Sequence, residues 1–248
     1  MNEKELNMED LKKLQDAAAD LLIKSHRRDH QSNESLKQYH QTRKLHQQII
    51  DKMSDFFNDY QDACEEIVNQ GFNQYDLDCE ISFNYDDGLQ RNVFGDFFIY
   101  PHFSDSLSEL FLREKKVRSE ANKAMIQAMI DSKLGLYQVK DIDEEDCNVF
   151  LENVLTGEKI TIVDERMALL NKKDMIQLLC LRVITYKGLS FQTGLCIGFE
   201  KNDPTIRKWI KKHKKHKVKT DFLLEIYLYY CELSKKHMNI PIEMRYVK

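Results

Sequence analysis

Glycine and proline are scarce in this chain of 248 residues, at eight and three. So few backbone breakers favour long helices over a loop-rich sandwich. The glycines stand singly, and neither a G-x-x-x-x-G-K nor a G-x-G-x-x-G run occurs, which argues against nucleotide hydrolases of those types. No G-x-S-x-G elbow is present either. The six cysteines lie far apart without a C-x-x-C pair, as reduced thiols filling a core would. No apolar run reaches the roughly 20 residues that span a bilayer, and the opening MNEKELNMEDLKKL is too polar for a secretory segment. The expectation is a cytoplasmic protein without membrane contact.

What is abundant is charge. Charged residues make up 31% of the chain and aromatics 10%, enough of both for a solvated surface around a real core. The net charge of -4 is unevenly placed. Between Arg207 and Lys219 there are eight Lys/Arg and no acid, so the rest of the chain carries about -12.

Apolar periodicity divides the chain into four segments: 1–70, 71–135, 136–200 and 201–248. In the first, Leu11, Leu14, Ala18 and Leu21 follow a 3,4,3 spacing, and Ser32-Asn33-Glu34-Ser35 offers a cap for a second helix. There Leu36, Tyr39, Arg43, His46, Ile50, Met53, Phe57, Tyr60, Cys64 and Ile67 alternate steps of three and four, a seam of period 3.5. Arg43 and His46 make it too polar for a strong coiled coil. Its partner is the preceding helix folded back as a hairpin, the body of the same domain, or the same helix of a second subunit. In the last case Leu36, Tyr39, Ile50, Met53, Phe57 and Tyr60 form the interface of a homodimer.

From 71 to 135 a strand with alternating Cys79, Ile81, Phe83 and Tyr85 runs to the hairpin-type turn Asp86-Asp87-Gly88. Val93 to Tyr100 fits a returning strand or a buried helical turn. Helical spacing resumes at Leu107, Leu110 and Phe111 and again from Ala121 to Met129, with Gly135 placed to end the second helix.

Residues 136–200 read as a small β module. Strands at 136–139, 149–154, 159–163, 175–186 and 189–199 are separated by the acidic stretch 141–146, the turn Leu155 to Glu158, a helical turn at 166–170 and the turn Lys187-Gly188. Five such strands suggest a closed or half-closed barrel. Beyond them, Asp203-Pro204 opens a helix through Trp209, and Phe222 to about His237 forms a last helix apolar on nearly every side. The fold expected is therefore α+β, with long N-terminal helices, a central barrel-like module and a C-terminal helical pair.

The run Leu151 to Glu158 together with Lys172-Lys173-Asp174-Met175 resembles a β module of uncharacterised bacterial proteins that often carry a SEC-C zinc knuckle. In those proteins a leucine-threonine-glycine-glutamate turn and a later lysine-proline-glycine-aspartate turn recur. Here the second turn has Lys173 in place of the glycine and no proline. No Cys-rich knuckle occurs in this sequence, so the resemblance implies a barrel-like fold in a bacterial protein without the zinc or partner-binding role of the knuckle.

Candidate chemistry is sparse. His26 and His30 have i,i+4 spacing, but Arg27-Arg28-Asp29 between them opposes a cation. The acids of 141–146 lack the glycine of an EF-hand loop. No catalytic residue, metal ligand or cofactor is assigned. The basic segment is the strongest partner signal: Arg207, Lys208, Lys211, Lys212, Lys214, Lys215, Lys217 and Lys219 would neutralise phosphates, and Trp209 could stack on a base. The preferred expectation is a non-enzymatic interaction or regulatory protein acting through protein–protein contacts. The alternatives are nucleic-acid binding through 207–219, and a phage-defence or toxin-type effector whose site only the fold assembles.

Overall fold

A computed structural model describes residues 8–29, 33–59, 95–96, 98–101, 106–170, 178–199 and 204–213. Two long helices open it, α1 over Met8–Asp29 and α2 over Glu34–Asp59. Asn33 starts α2: its side-chain oxygen accepts from the Leu36 amide at 3.1 Å and its carbonyl from the Lys37 amide at 3.1 Å. Gly95, Asp96, Phe98 and Ile99 are helical, so the described part of the apolar run before Pro101 takes the helical alternative and not that of a returning strand. Helix α3, Leu107–Glu114, opens on a capping box between Ser106 and Glu109, and α4, Glu120–Ile130, on Ser119.

Five antiparallel strands follow: β1 Lys133–Asp143, β2 Asn148–Asn153, β3 Lys159–Val163, β4 Leu178–Tyr186 and β5 Leu189–Phe199, in the order β3-β2-β1-β4-β5. A short α5, Glu165–Leu170, follows β3, and α6 spans Pro204–His213. The turns are the expected ones. Lys187 and Gly188, at φ 50° and 83°, form the two-residue loop that suits the twist of a hairpin. The Asn153 side chain accepts from the amides of Leu155 and Thr156 and so shapes the turn into Gly157.

The sheet curls until its edge strands β3 and β5 touch, but no backbone ladder joins them. It is an open sheet and not a closed barrel. Two further expectations are corrected. The acidic run does not begin as a turn, because β1 continues through Asp143 paired with Asn148. Gly135 does not end a helix: α4 stops at Asp131, and Gly135 pairs with Leu181 inside β1. A Cβ there would lie 2.6 Å from the ring of Tyr137, so glycine makes room for that aromatic.

Strand β4 is buried at every residue except Thr185, as a strand covered on both faces must be. Helix α4 packs on it, and α2 packs on α3 and α4, whereas α1 docks on α5. One core therefore joins Met53, Phe56, Phe111, Met125 and Met129 of the helices to Leu179, Leu181 and Phe191 of the sheet. The expected strand at 79–85, the turn 86–88 and the last helix lie outside the described residues.

Candidate functional site

Helix α2 turns Tyr39, Thr42, His46, Ile49 and Met53 inward, so both polar members of its seam meet the sheet. Where they land, the ladder between β4 and β5 is irregular. Leu181 pairs with Cys196 but Val183 with Gln192, leaving Thr193-Gly194-Leu195 opposite Arg182, with Gly194 at φ 121°. A bulge of this kind re-aims side chains. Here it aims Thr193 Oγ1 at Asp96 Oδ1, 3.0 Å away.

Asp96 and Arg182 form a fully buried ion pair, Nε to Oδ2 at 2.8 Å, each side chain at most 2% exposed. Arg182 Nη1 also donates to Ser132 Oγ at 3.2 Å, and the guanidinium lies 4.9 Å from the centre of the Tyr100 ring. Tyr100 Oη and His46 Nε2 share a hydrogen bond of 2.7 Å. The His46 ring meets Phe191 edge-on, and Arg43 lies over the same phenylalanine while donating to the Gln192 carbonyl at 2.5 Å.

A second group sits at the end of β3. Asp164 caps α5 through the Met167 amide at 2.7 Å, and its other oxygen accepts from Gln192 Nε2 at 2.9 Å. Glu165 is 3% exposed and takes the Arg27 guanidinium through Nε and Nη2, with His40 Nε2 at 3.1 Å on the other side. Arg27 belongs to α1 and His40 to α2, so one carboxylate holds both helices. Close by, Cys147 Sγ contacts the His26 ring at 3.8 and 3.9 Å.

Burial decides the protonation of these groups. It lowers His46 to about 4, with Arg43 acting in the same sense against Asp96, so the imidazole is neutral near pH 7. Burial and then Asp96 raise the Tyr100 phenol, and burial and then Asp164 raise that of Tyr39. The Cys147 thiol is pushed up to about 12 by burial and the nearby carboxylates Glu165 and Asp164. A nucleophilic thiol requires the opposite shift. The geometry therefore suits a structural polar layer in which each group holds its neighbour.

The residues singled out by sequence fall elsewhere. Leu36, Tyr39 and Met53, expected at an interface, are buried in the chain's own core, with Ile50 and Phe57 packed against it. Tyr60 lies outside the described residues. On α6, Arg207, Lys208 and Lys211 are exposed and Ile206 is buried. Nothing is described for the side chains of Trp209 and Lys212, and Lys214, Lys215, Lys217 and Lys219 fall outside the described residues. Among the described residues no group of three or more His, Cys, Asp or Glu is arranged to hold a metal, and no helix is long and apolar enough to cross a membrane.

The polar layer itself was missed. A signal for it exists, since Asp96 is the lone charge in Val93 to Tyr100 and Arg182 the lone charge in β4. Opposite charges isolated in two apolar runs are natural partners. The complementary feature is on α1, where Leu21 and Leu22 are 67% and 45% exposed. A model for a family of unknown function, DUF7986, matches residues 33–240, which leaves α1 outside the match. No curated protein and no solved structure matches the chain.

Proposed function

The chain belongs to the DUF7986 family, whose function is unknown, and we propose that it is a non-enzymatic interaction or regulatory protein that works through protein–protein contacts. The observation that carries this reading is the exposed pair Leu21 and Leu22 on a helix that Arg27, less than two turns further on, anchors to a buried carboxylate. Exposed apolar side chains presented together by an anchored helix suit recognition by another protein.

Chemical cross-linking of the tagged chain in its own cells, followed by mapping of the joined peptides, tests this. Lys24 is exposed one turn from Leu21 and supplies the reactive amine. The expected result is a protein cross-linked through Lys24 and lost in the Leu21→Glu/Leu22→Glu variant. Cross-links that never involve α1, or that survive in the variant, refute the reading.

A second reading rests on α6, whose exposed Arg207, Lys208 and Lys211 stand opposite the buried Ile206. Such a face suits contact with phosphates and gives a salt-dependent affinity. Anisotropy titrations with a labelled oligonucleotide at two salt concentrations discriminate. Changing Lys211, Lys212, Lys214 and Lys215 to Gln should weaken binding and flatten its salt dependence; no binding at low salt rejects it.

A further inference from the structure

We propose that the face of α1 carrying Leu21 is the docking surface for a second copy of this chain, paired antiparallel about a two-fold axis near Ala17. This names the partner for the interaction role above and rests on that reading. Leu11, Leu14, Ala18 and Leu21 keep the 3,4,3 spacing of a helix–helix seam, and in the part whose side chains are described, Ala17, Ala18, Leu21 and Leu22 are all exposed. The opposite side of the helix does the docking within the chain, with Ala19 buried, His26 on Cys147 and Arg27 on Glu165.

Charge decides the occupant and its direction. In the first half of α1 Glu9, Asp10 and Asp16 outnumber Lys12 and Lys13; in the second half Lys24, Arg27 and Arg28 outnumber Asp20 and Asp29. The helix is thus complementary to itself only when reversed. Placing Leu11 opposite Leu21 and Leu14 opposite Ala18 brings Asp10 of one copy beside Lys24 of the other, twice by symmetry. The small Ala17 then meets itself on the axis. A parallel pair would instead set acidic half beside acidic half and basic half beside basic half. Antiparallel helices also oppose their dipoles favourably. At 22 residues α1 is about 33 Å long, so the contact is of the small, reversible kind that buries less than about 1,200 Å².

Sedimentation velocity on the full chain across a concentration series tests the pairing. The wild type should pass reversibly from monomer to dimer. Leu21→Glu/Leu22→Glu should raise the half-association concentration at least about tenfold without lowering the melting temperature. Lys24→Glu and Asp10→Lys should each weaken association alone, and mixing the two single variants should restore it, because both cross-copy pairs then have opposite charge.

A wild type that stays monomeric throughout overturns the proposal, whether another protein or a further segment of the same chain covers α1. So does a dimer indifferent to the leucine change, or a mixture that fails to recover. If the chain is monomeric yet Lys24 still cross-links to a different protein in cells, the second copy is refuted and the interaction role stands.

Discussion

Helices α1 and α2 carry the same apolar spacing and meet opposite fates. The seam of α2 contains Arg43 and His46, yet its apolar members are the ones packed in the core: Leu36 is 3% exposed and Met53 fully buried. The seam of α1 is wholly apolar over Leu11, Leu14, Ala18 and Leu21, yet where its side chains are described it faces water. Period identifies a stripe but not its partner. What draws α2 inward is a receptor for its polar members: Tyr100 for His46, and the Gln192 carbonyl with the Phe191 ring for Arg43. A buried polar group is tolerated only where its hydrogen bonds are met.

The largest effect should come from dismantling that receptor. Arg182→Met leaves Asp96 charged, buried and short of its main partner, and should cost about 3–5 kcal/mol in chemical denaturation. Adding Asp96→Asn should recover much of the loss, since the stranded charge is then gone; a double variant no better than the single one would break the explanation. Met53→Ala on α2 should cost about 2–5 kcal/mol through the lost side chain and the cavity.

Acid should act through His46. Its folded pKa of about 4 lies below the ordinary 6.5, so the unfolded chain binds the proton first. Stability from this group is complete above pH 6.5 and is lost as pH falls toward 4, by up to about 3 kcal/mol. His46→Gln should flatten the difference in melting temperature between pH 7 and pH 4.5, measured against the wild type. Arg27→Gln on α1 should cost less than Arg182→Met, about 1–2 kcal/mol, because half of the Arg27 side chain is already in water and His40 stays beside the buried Glu165 carboxylate. Smallest of all, Leu21→Ala should change monomer stability by no more than about 0.5 kcal/mol. A loss like that of Met53→Ala would mean that the two seams are equivalent after all.

How much of this could be read in advance follows from the range of each interaction. The strands are local features: the expected 149–154, 159–163 and 189–199 stand beside β2, β3 and β5, and the Lys187-Gly188 turn lies where its glycine put it. Gly135 misled because a glycine just past an apolar helix is the common way to end one, whereas this glycine serves the Tyr137 ring. The acidic run misled because the pairing with β2 carries β1 past its irregularity at Val139/Asp141 through Ile142 into Asp143. The polar layer was out of reach for another reason. Arg182 and Asp96 are 86 residues apart, and only the bulge opposite Arg182 brings Thr193 to the same carboxylate. Nor does the α1 spacing show which side of that helix docks, since Arg27 selects it by reaching Glu165 on a distant element.

The contrast between the two helices is tested most directly by amide hydrogen exchange on the full chain at low and at high protein concentration. With α1 pairing to a second copy and α2 closed within the chain, protection across residues 11–24 should rise with concentration while that across 36–57 stays constant. Protection that rises across 36–57, or that is independent of concentration in both helices, would contradict the account.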